Sequence, residues 1–232
     1  MTKLGVLTIG QAPRADGLAR ADGLARDVAR VVGHEFEVVE KGALDGLTAA
    51  EVSRLAPAED DDLLVTLLSD GTPVRVGKRT ILRGLQEQAA RLEDDGVAAT
   101  LLACTGRFPD FGHQRPLLQP QATLYGVVKG LANERRIATM PPLREQSEMA
   151  GREWAALGVA DVVVVAADPY GPDPHRAVAA AAARAERSGA GVLFMDCFGF
   201  DLEMRDTAAA NFTGHIVLAR SMAARVLAEI AP

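Results

Sequence analysis

Short apolar runs alternate along the chain with longer stretches rich in Ala, Arg and Glu. The runs "KLGVLTIG" (3–10), "EFEVVE" (35–40), "DLLVTLLS" (62–69), "AATLLACT" (98–105), "RIATMP" (136–141), "DVVVVAA" (161–167), "GVLFMDC" (191–197) and "HIVLAR" (215–220) predict strands. Their β-branched and aliphatic content suits a pleated surface. Helical periodicity predicts helices over 14–32, 48–55, 79–95, 144–157, 174–188 and 221–230. Strands that are apolar on both faces and separated by helices imply parallel sheets covered on both sides. The class is therefore α/β, with mainly parallel sheets flanked by helices in two lobes. No long linker divides the chain, and the polar stretch "DFGHQRPLLQPQATLYG" around 110–126 is the best boundary. The expected organisation is a first lobe over 1–120, completed by 212–232, and a second over 121–211.

Composition narrows the function classes more than the fold. The 232 residues are 48% hydrophobic and 24% charged, an ordinary balance for a soluble globular protein. A net charge of −6 with no basic stripe argues against nucleic acid or an anionic membrane as partner. The opening "MTKLGVLTIGQAPR" holds an apolar run too short for a signal peptide or a membrane span. Two cysteines without an export signal point to free thiols in a reducing cytoplasm. A homodimer is the expected assembly. The tandem "ADGLARADGLAR" (15–26) cannot present one buried stripe, because six residues rotate a helix by about 600°. It reads as a slippage duplication near a helix start, with Leu24, Val28 and Val31 as the coherent face.

The candidate chemistry lies at strand ends. "LLACTGRFPDFG" (101–112) and "VLFMDCFGFD" (192–201) share one shape: apolar run, Cys, any residue, Gly. Ligands of open α/β sheets bind beyond the carboxyl ends of strands, where Cys104 and Cys197 are predicted to sit. Gly106 and Gly199 let the backbone turn sharply beside them. A helix starting after each turn would favour negative charge, binding a carboxylate and promoting the thiolate. The plain alternative is that each cysteine is a small buried hydrophobe ending a strand. Other strand ends are polar too: Gln11, Pro13 and Arg14 after the first strand, Ser69, Asp70, Gly71 and Thr72 after the third. Asp168, Pro169 and Tyr170 end the sixth, and Arg220 and Ser221 the last. Such hydroxyls, amides and an arginine suit a small carboxylate-bearing molecule. Local chemistry also explains "SDGT" as a turn and Ser221 as a helix cap. No dinucleotide fingerprint, phosphate loop, nucleophile elbow or zinc spacing is present, so neither cofactor nor metal is expected.

"LTIGQAPR" (7–14), "GALDGL" (42–47), "LLVTLLSDGT" (63–72), "LLACTGRFP" (101–109), "MDCFGF" (195–200) and "VLARSMAARVLAEI" (217–230) resemble the AroM family nearly end to end. The layout is more distantly similar to the aspartate/glutamate racemase superfamily. That resemblance implies two pseudo-symmetric α/β lobes, a site in the cleft between them, and one cysteine from each. It implies cofactor-independent chemistry at a carbon next to a carboxylate or carbonyl, with Cys104 and Cys197 in the two cysteine positions and Thr105 beside the first. The pattern departs in two places. Thr105-Gly106 stands where racemases often have Asn-Thr, and Phe198-Gly199-Phe200 stands where they tend to carry Thr with His or Glu. The second departure makes that flank more apolar.

Two thiols on opposite faces of an α-carbon suit racemisation or epimerisation. One working thiol suits decarboxylation or a cis–trans isomerisation through a covalent adduct. A non-catalytic binder of small carboxylates on the same fold is the rival class. A redox-sensing disulfide pair is a third reading.

Overall fold

The computed structural model describes residues 1–13 and 23–231, and its contacts divide the chain into two units. One comprises Met1–Pro120 with Ala223–Pro232, the other Gln121–Met222.

In the first unit, β1 (Thr2–Thr8), β2 (Phe36–Gly42), β5 (Ala99–Ala103) and β6 (Leu117–Leu118) form a parallel sheet in the order β2-β1-β5-β6. The central strand β5 is buried at all five residues. The connecting helices are α1 (Leu24–Val32), the single turn α2 (Ala49–Val52) and α3 (Leu82–Asp94). Short 3₁₀ turns follow α2 at Ser53–Leu55 and precede α3 at Arg79–Ile81. The α2 turn opens with a capping box: the Thr48 hydroxyl accepts from the Glu51 amide while the Glu51 carboxylate accepts from Thr48. On α1 the buried face is Leu24, Asp27, Val28 and Val32, with Val31 half-buried. Arg14, the first copy of the repeat and Ala21 and Asp22 lie outside the described residues.

The third predicted strand does not join this sheet. It is β3 (Leu63–Leu67), which pairs antiparallel with β4 (Pro73–Gly77) as a separate hairpin. "SDGT" decides the matter: Gly71 takes a left-handed φ of 80°, and the Thr72 amide donates to Asp70 Oδ1 at 2.8 Å. The chain reverses within a few residues, whereas a parallel return needs a crossover of a dozen or more. Pro73 at the start of β4 and Arg75 in its middle disguise that strand in the sequence.

In the second unit, β7 (Ile137–Met140), β8 (Val162–Val164), β9 (Val192–Met195) and β10 (His215–Leu218) form a parallel sheet in the order β10-β9-β7-β8. Its helices are α4 (Gln121–Ala132), α5 (Ser147–Ala156), α6 (Pro174–Arg187) and α7 (Leu202–Ala209). Helices α4 and α7 are absent from the sequence prediction. Gly126 and Gly130 weaken the helical signal of α4, and its buried positions carry Gln121 and Tyr125 as well as Leu124 and Val128. Helix α7 is only eight residues long, below the span where periodicity speaks clearly. The sequence assigns 212–232 to the first lobe, but β10 pairs with β9, and the last helix α8 (Ala219–Ile230) passes from one unit to the other at Met222–Ala223. Only five residues separate α7 from β10, which keeps the return to the neighbouring parallel strand short. An aromatic cluster anchors this unit: Tyr125 stacks on Trp154 at 4.4 Å and meets Phe194 edge-on at 5.5 Å. Among the described residues no helix is long and apolar enough to cross a membrane.

Candidate functional site

Strand register aligns the loops that matter. In the first unit Thr8 pairs with Gly42 on one side and Ala103 on the other, so the segments after β1, β2 and β5 leave the sheet at one edge. In the second unit Met195 pairs with Leu218 and Met140, and the segments after β9, β10 and β7 do the same. Cys104 and Cys197 each follow the central strand of their sheet at this edge by one and two residues.

The two cysteine turns are built alike. The Gly106 amide donates to Cys104 Sγ at 3.5 Å, and the Gly199 amide donates to Cys197 Sγ at 3.3 Å. In both, a backbone N–H two residues on is turned back to sulfur. Neither glycine needs a positive φ. Gly199 is required for another reason: a Cβ there would stand 2.6 Å from Tyr170 Cζ and Oη and 2.8 Å from Pro169. Tyr170 thus lies against the Cys197 turn, fixed in part by its own amide donating to Asp168 Oδ1. A Cβ on Gly106 would meet only ordinary contacts, with Phe108 at 3.5 Å and Cys104 Sγ at 3.6 Å.

The helix expected after each turn is present once. Residues 104–116 run irregularly to β6, so no helix N-terminus stands behind Cys104. After Cys197, α7 begins at Leu202, and its N-terminus is capped by the Asp201 carboxylate, which accepts from the Met204 amide at 2.7 Å.

Several predicted ligand groups also brace the loops. The Gln11 Nε2 donates to the carbonyls of Leu44 and Leu47 at 3.1 and 2.8 Å, and its Oε1 accepts from the Ser69 amide and hydroxyl at 2.9 and 3.2 Å. Its backbone N–H donates to Leu67. Gln11 therefore ties the exits of β1 and β2 to the tip of the β3–β4 hairpin. Ser69 serves the same knot, while Asp70 and Thr72 lie exposed at the tip around Gly71. Hydrogen bonds from Thr72 hold the Asp70 carboxyl below its usual range. Ser221 lies inside the first turn of α8 instead of capping it, because the helix already begins at Ala219, and its hydroxyl donates to the Leu218 carbonyl. Arg220 is fully buried, and its Nε and Nη2 both donate to the Phe198 carbonyl, Nε at 3.0 Å. Phe198 is itself buried, and Thr105 is half-buried.

Two carboxylates escaped the sequence reading. Asp45 accepts from the Ala12 amide at 2.7 Å and the Gly42 amide at 2.8 Å, bracing the β1 exit; burial nonetheless pushes its carboxyl above the usual range. Asp196, immediately before Cys197, is buried, and its Oδ2 accepts from the Tyr125 hydroxyl at 2.8 Å and from Thr139 at 3.4 Å. Burial, and then the Asp196 charge, drive the Tyr125 phenol far above its ordinary value. A carboxylate inside the apolar run "VLFMDCFGF" was the available signal, since a buried charge demands partners.

The family model described as AroM protein matches residues 4–231. The chain belongs to the AroM family. No curated protein matches this AroM chain in sequence. Solved structures match it in fold. Aspartate racemase of Picrophilus torridus aligns at TM-score 0.61 and 11% identity over 100% of this chain and 94% of its own. Allantoin racemase of Pseudomonas fluorescens aligns at 0.65 and 14% over 98% and 90%. An arylmalonate decarboxylase aligns at 0.57 and 13% over 99% and 92%. The AroM chain therefore has the racemase fold, with a mixed α/β architecture of parallel sheets flanked by helices.

Proposed function

We propose that the protein is a cofactor-independent racemase-type enzyme acting at a carbon next to a carboxylate or carbonyl of a small molecule. Cys104 and Cys197 are its acid–base pair. The observation that carries this reading is the repeated turn: each unit ends its central strand in a cysteine whose sulfur receives a backbone N–H from the glycine two residues on. A hydrogen bond donated to sulfur favours negative charge on it, which is the state a base requires. The fold's neighbours include racemases of aspartate and allantoin, consistent with a small polar substrate.

The chemistry balances without a redox partner. One cysteine, as thiolate, takes the α-proton and becomes a thiol, and the electron pair of the broken C–H bond moves into the adjacent carbonyl group as an enolate. The other cysteine, as thiol, delivers its proton to the opposite face and becomes a thiolate. The centre is inverted and the protein has exchanged one proton between two sulfurs. Backbone N–H groups at the strand edge would stabilise the enolate oxygen.

Purified protein under reducing conditions in D2O, offered amino acids, hydroxy acids, hydantoins and aromatic carboxylates, should place deuterium at the α-carbon of one class and invert it. Inversion should vanish in Cys104→Ala and in Cys197→Ala. Inversion that survives either substitution overturns the two-thiol reading.

One observation favours a second reading. Cys104 is 9% exposed and packs with Phe108 and Phe111 in the first unit's core, whereas Cys197 is only partly buried. A single working thiol at Cys197 would suit a decarboxylase, with loss of activity in Cys197→Ala alone.

A further inference from the structure

Arg220 is the largest charged side chain fully buried among the described residues, and both its Nε and Nη2 donate to one backbone oxygen, that of Phe198. An arginine out of water is costly unless its donors are met, so its direction in the fold is informative. The Phe198 carbonyl and the Gly199 N–H belong to one peptide plane and point to opposite sides of it. One side faces Arg220, and the other faces Cys197 Sγ at 3.3 Å. Hydrogen bonds from an ionised donor are stronger than neutral ones, and a peptide polarised at its oxygen becomes a better donor at its nitrogen.

We infer that Arg220 is a positioning residue for Cys197: it locks and polarises the Phe198–Gly199 peptide so that the Gly199 N–H stabilises the Cys197 thiolate. The inference rests on the reading of Cys197 as a working thiol. It replaces the expectation that Arg220 binds the substrate carboxylate directly. The Phe198–Gly199 peptide links this buried cation to the sulfur. Asp196 on the preceding side accepts from Tyr125 and Thr139, Asp201 on the following side caps α7, and Tyr170 lies against Gly199 from the β8–α6 segment, where Asp168 accepts from the Tyr170 amide. Asp196 and Asp201 flank the turn in sequence and Tyr170 lies against it, and Arg220 is a cation hydrogen-bonded to its central carbonyl.

The test is the pH dependence of iodoacetamide alkylation at Cys197 in the full chain with Cys104→Ser, followed by mass spectrometry. The midpoint of the profile reports the thiolate, and the plateau at high pH reports access to the sulfur. Arg220→Met should raise the midpoint by about one pH unit, slowing alkylation roughly tenfold below both midpoints, with the plateau kept. Arg220→Lys, which keeps the charge but offers a point donor in place of the planar fork, should raise it by less. A midpoint unchanged in Arg220→Met means that the peptide transmits nothing and overturns the inference, as does a rise in plateau without a shift in midpoint. Should Arg220→Met fail to fold, Arg220→Gln, which is neutral and still able to donate, decides by the same midpoint. Because the readout is alkylation, a protein inert toward every substrate would still answer, and the loss of the racemase reading would be separate from the loss of this one.

Discussion

The turn at Cys104 and the turn at Cys197 share their sulfur–amide bond and differ in almost everything behind it. Cys104 follows Ala103 and precedes irregular chain, and its glycine has room for a methyl group. Cys197 follows a buried carboxylate, precedes a capped helix, lies beneath Tyr170, and has a buried arginine on the carbonyl of its central residue. The same local geometry is thus reached twice with very different support. A tightly braced turn and a lightly braced one have different tolerances, and substitution can measure them separately.

The largest effect should come from Asp196, which has no counterpart before Cys104. Asp196→Ala strips the acceptor from the buried Tyr125 hydroxyl and from Thr139 and opens a void beside the aromatic cluster. A cost of about 3 kcal/mol follows, read by calorimetry as a fall in Tm of roughly 6–12 °C. A smaller loss is expected from Gly199→Ala, where the new Cβ must displace Tyr170 or Pro169. Overpacking of that kind costs about 2 kcal/mol, while Gly106→Ala should stay within about 0.5 kcal/mol, by urea unfolding of the two variants in parallel. Equal costs at the two glycines would erase the contrast between the turns.

A further difference appears only in alkali. The folded Tyr125 phenol stays protonated well above pH 10, whereas in the unfolded chain it ionises near that pH. Stability from this group is therefore complete below pH 10 and is lost as pH rises, by about 1.4 kcal/mol per pH unit. Tyr125→Phe should be less stable than wild type at pH 7, and the gap should narrow between pH 10 and 11.

The alternation of apolar runs and helical stretches was enough to read the α/β class and eight strand positions, because buried parallel strands leave continuous β-branched segments. It did not reveal β4, which begins with a proline and carries Arg75, or α4, where two glycines weaken the pattern. The cysteine turns were legible as a motif. The structural roles of Gln11 and Arg220 were not: an amide and a guanidinium at strand ends look like ligand groups, and only the fold shows them donating to carbonyls 33, 36 and 22 residues away in sequence. Asp196 was visible as a charge within an apolar run, but its partners, Tyr125 and Thr139, come from α4 and β7, 71 and 57 residues earlier.

The central claim is that the two turns act as an acid–base pair from opposite faces, and enantiomer-resolved exchange tests it most directly. Each enantiomer of the substrate found in the panel would be incubated in D2O with Cys104→Ser and with Cys197→Ser, and label and configuration read together. The account predicts complementary behaviour: neither variant inverts, and each incorporates deuterium with retention into one enantiomer only, a different one for each. Two variants that label the same enantiomer, or one that still inverts both, would contradict it.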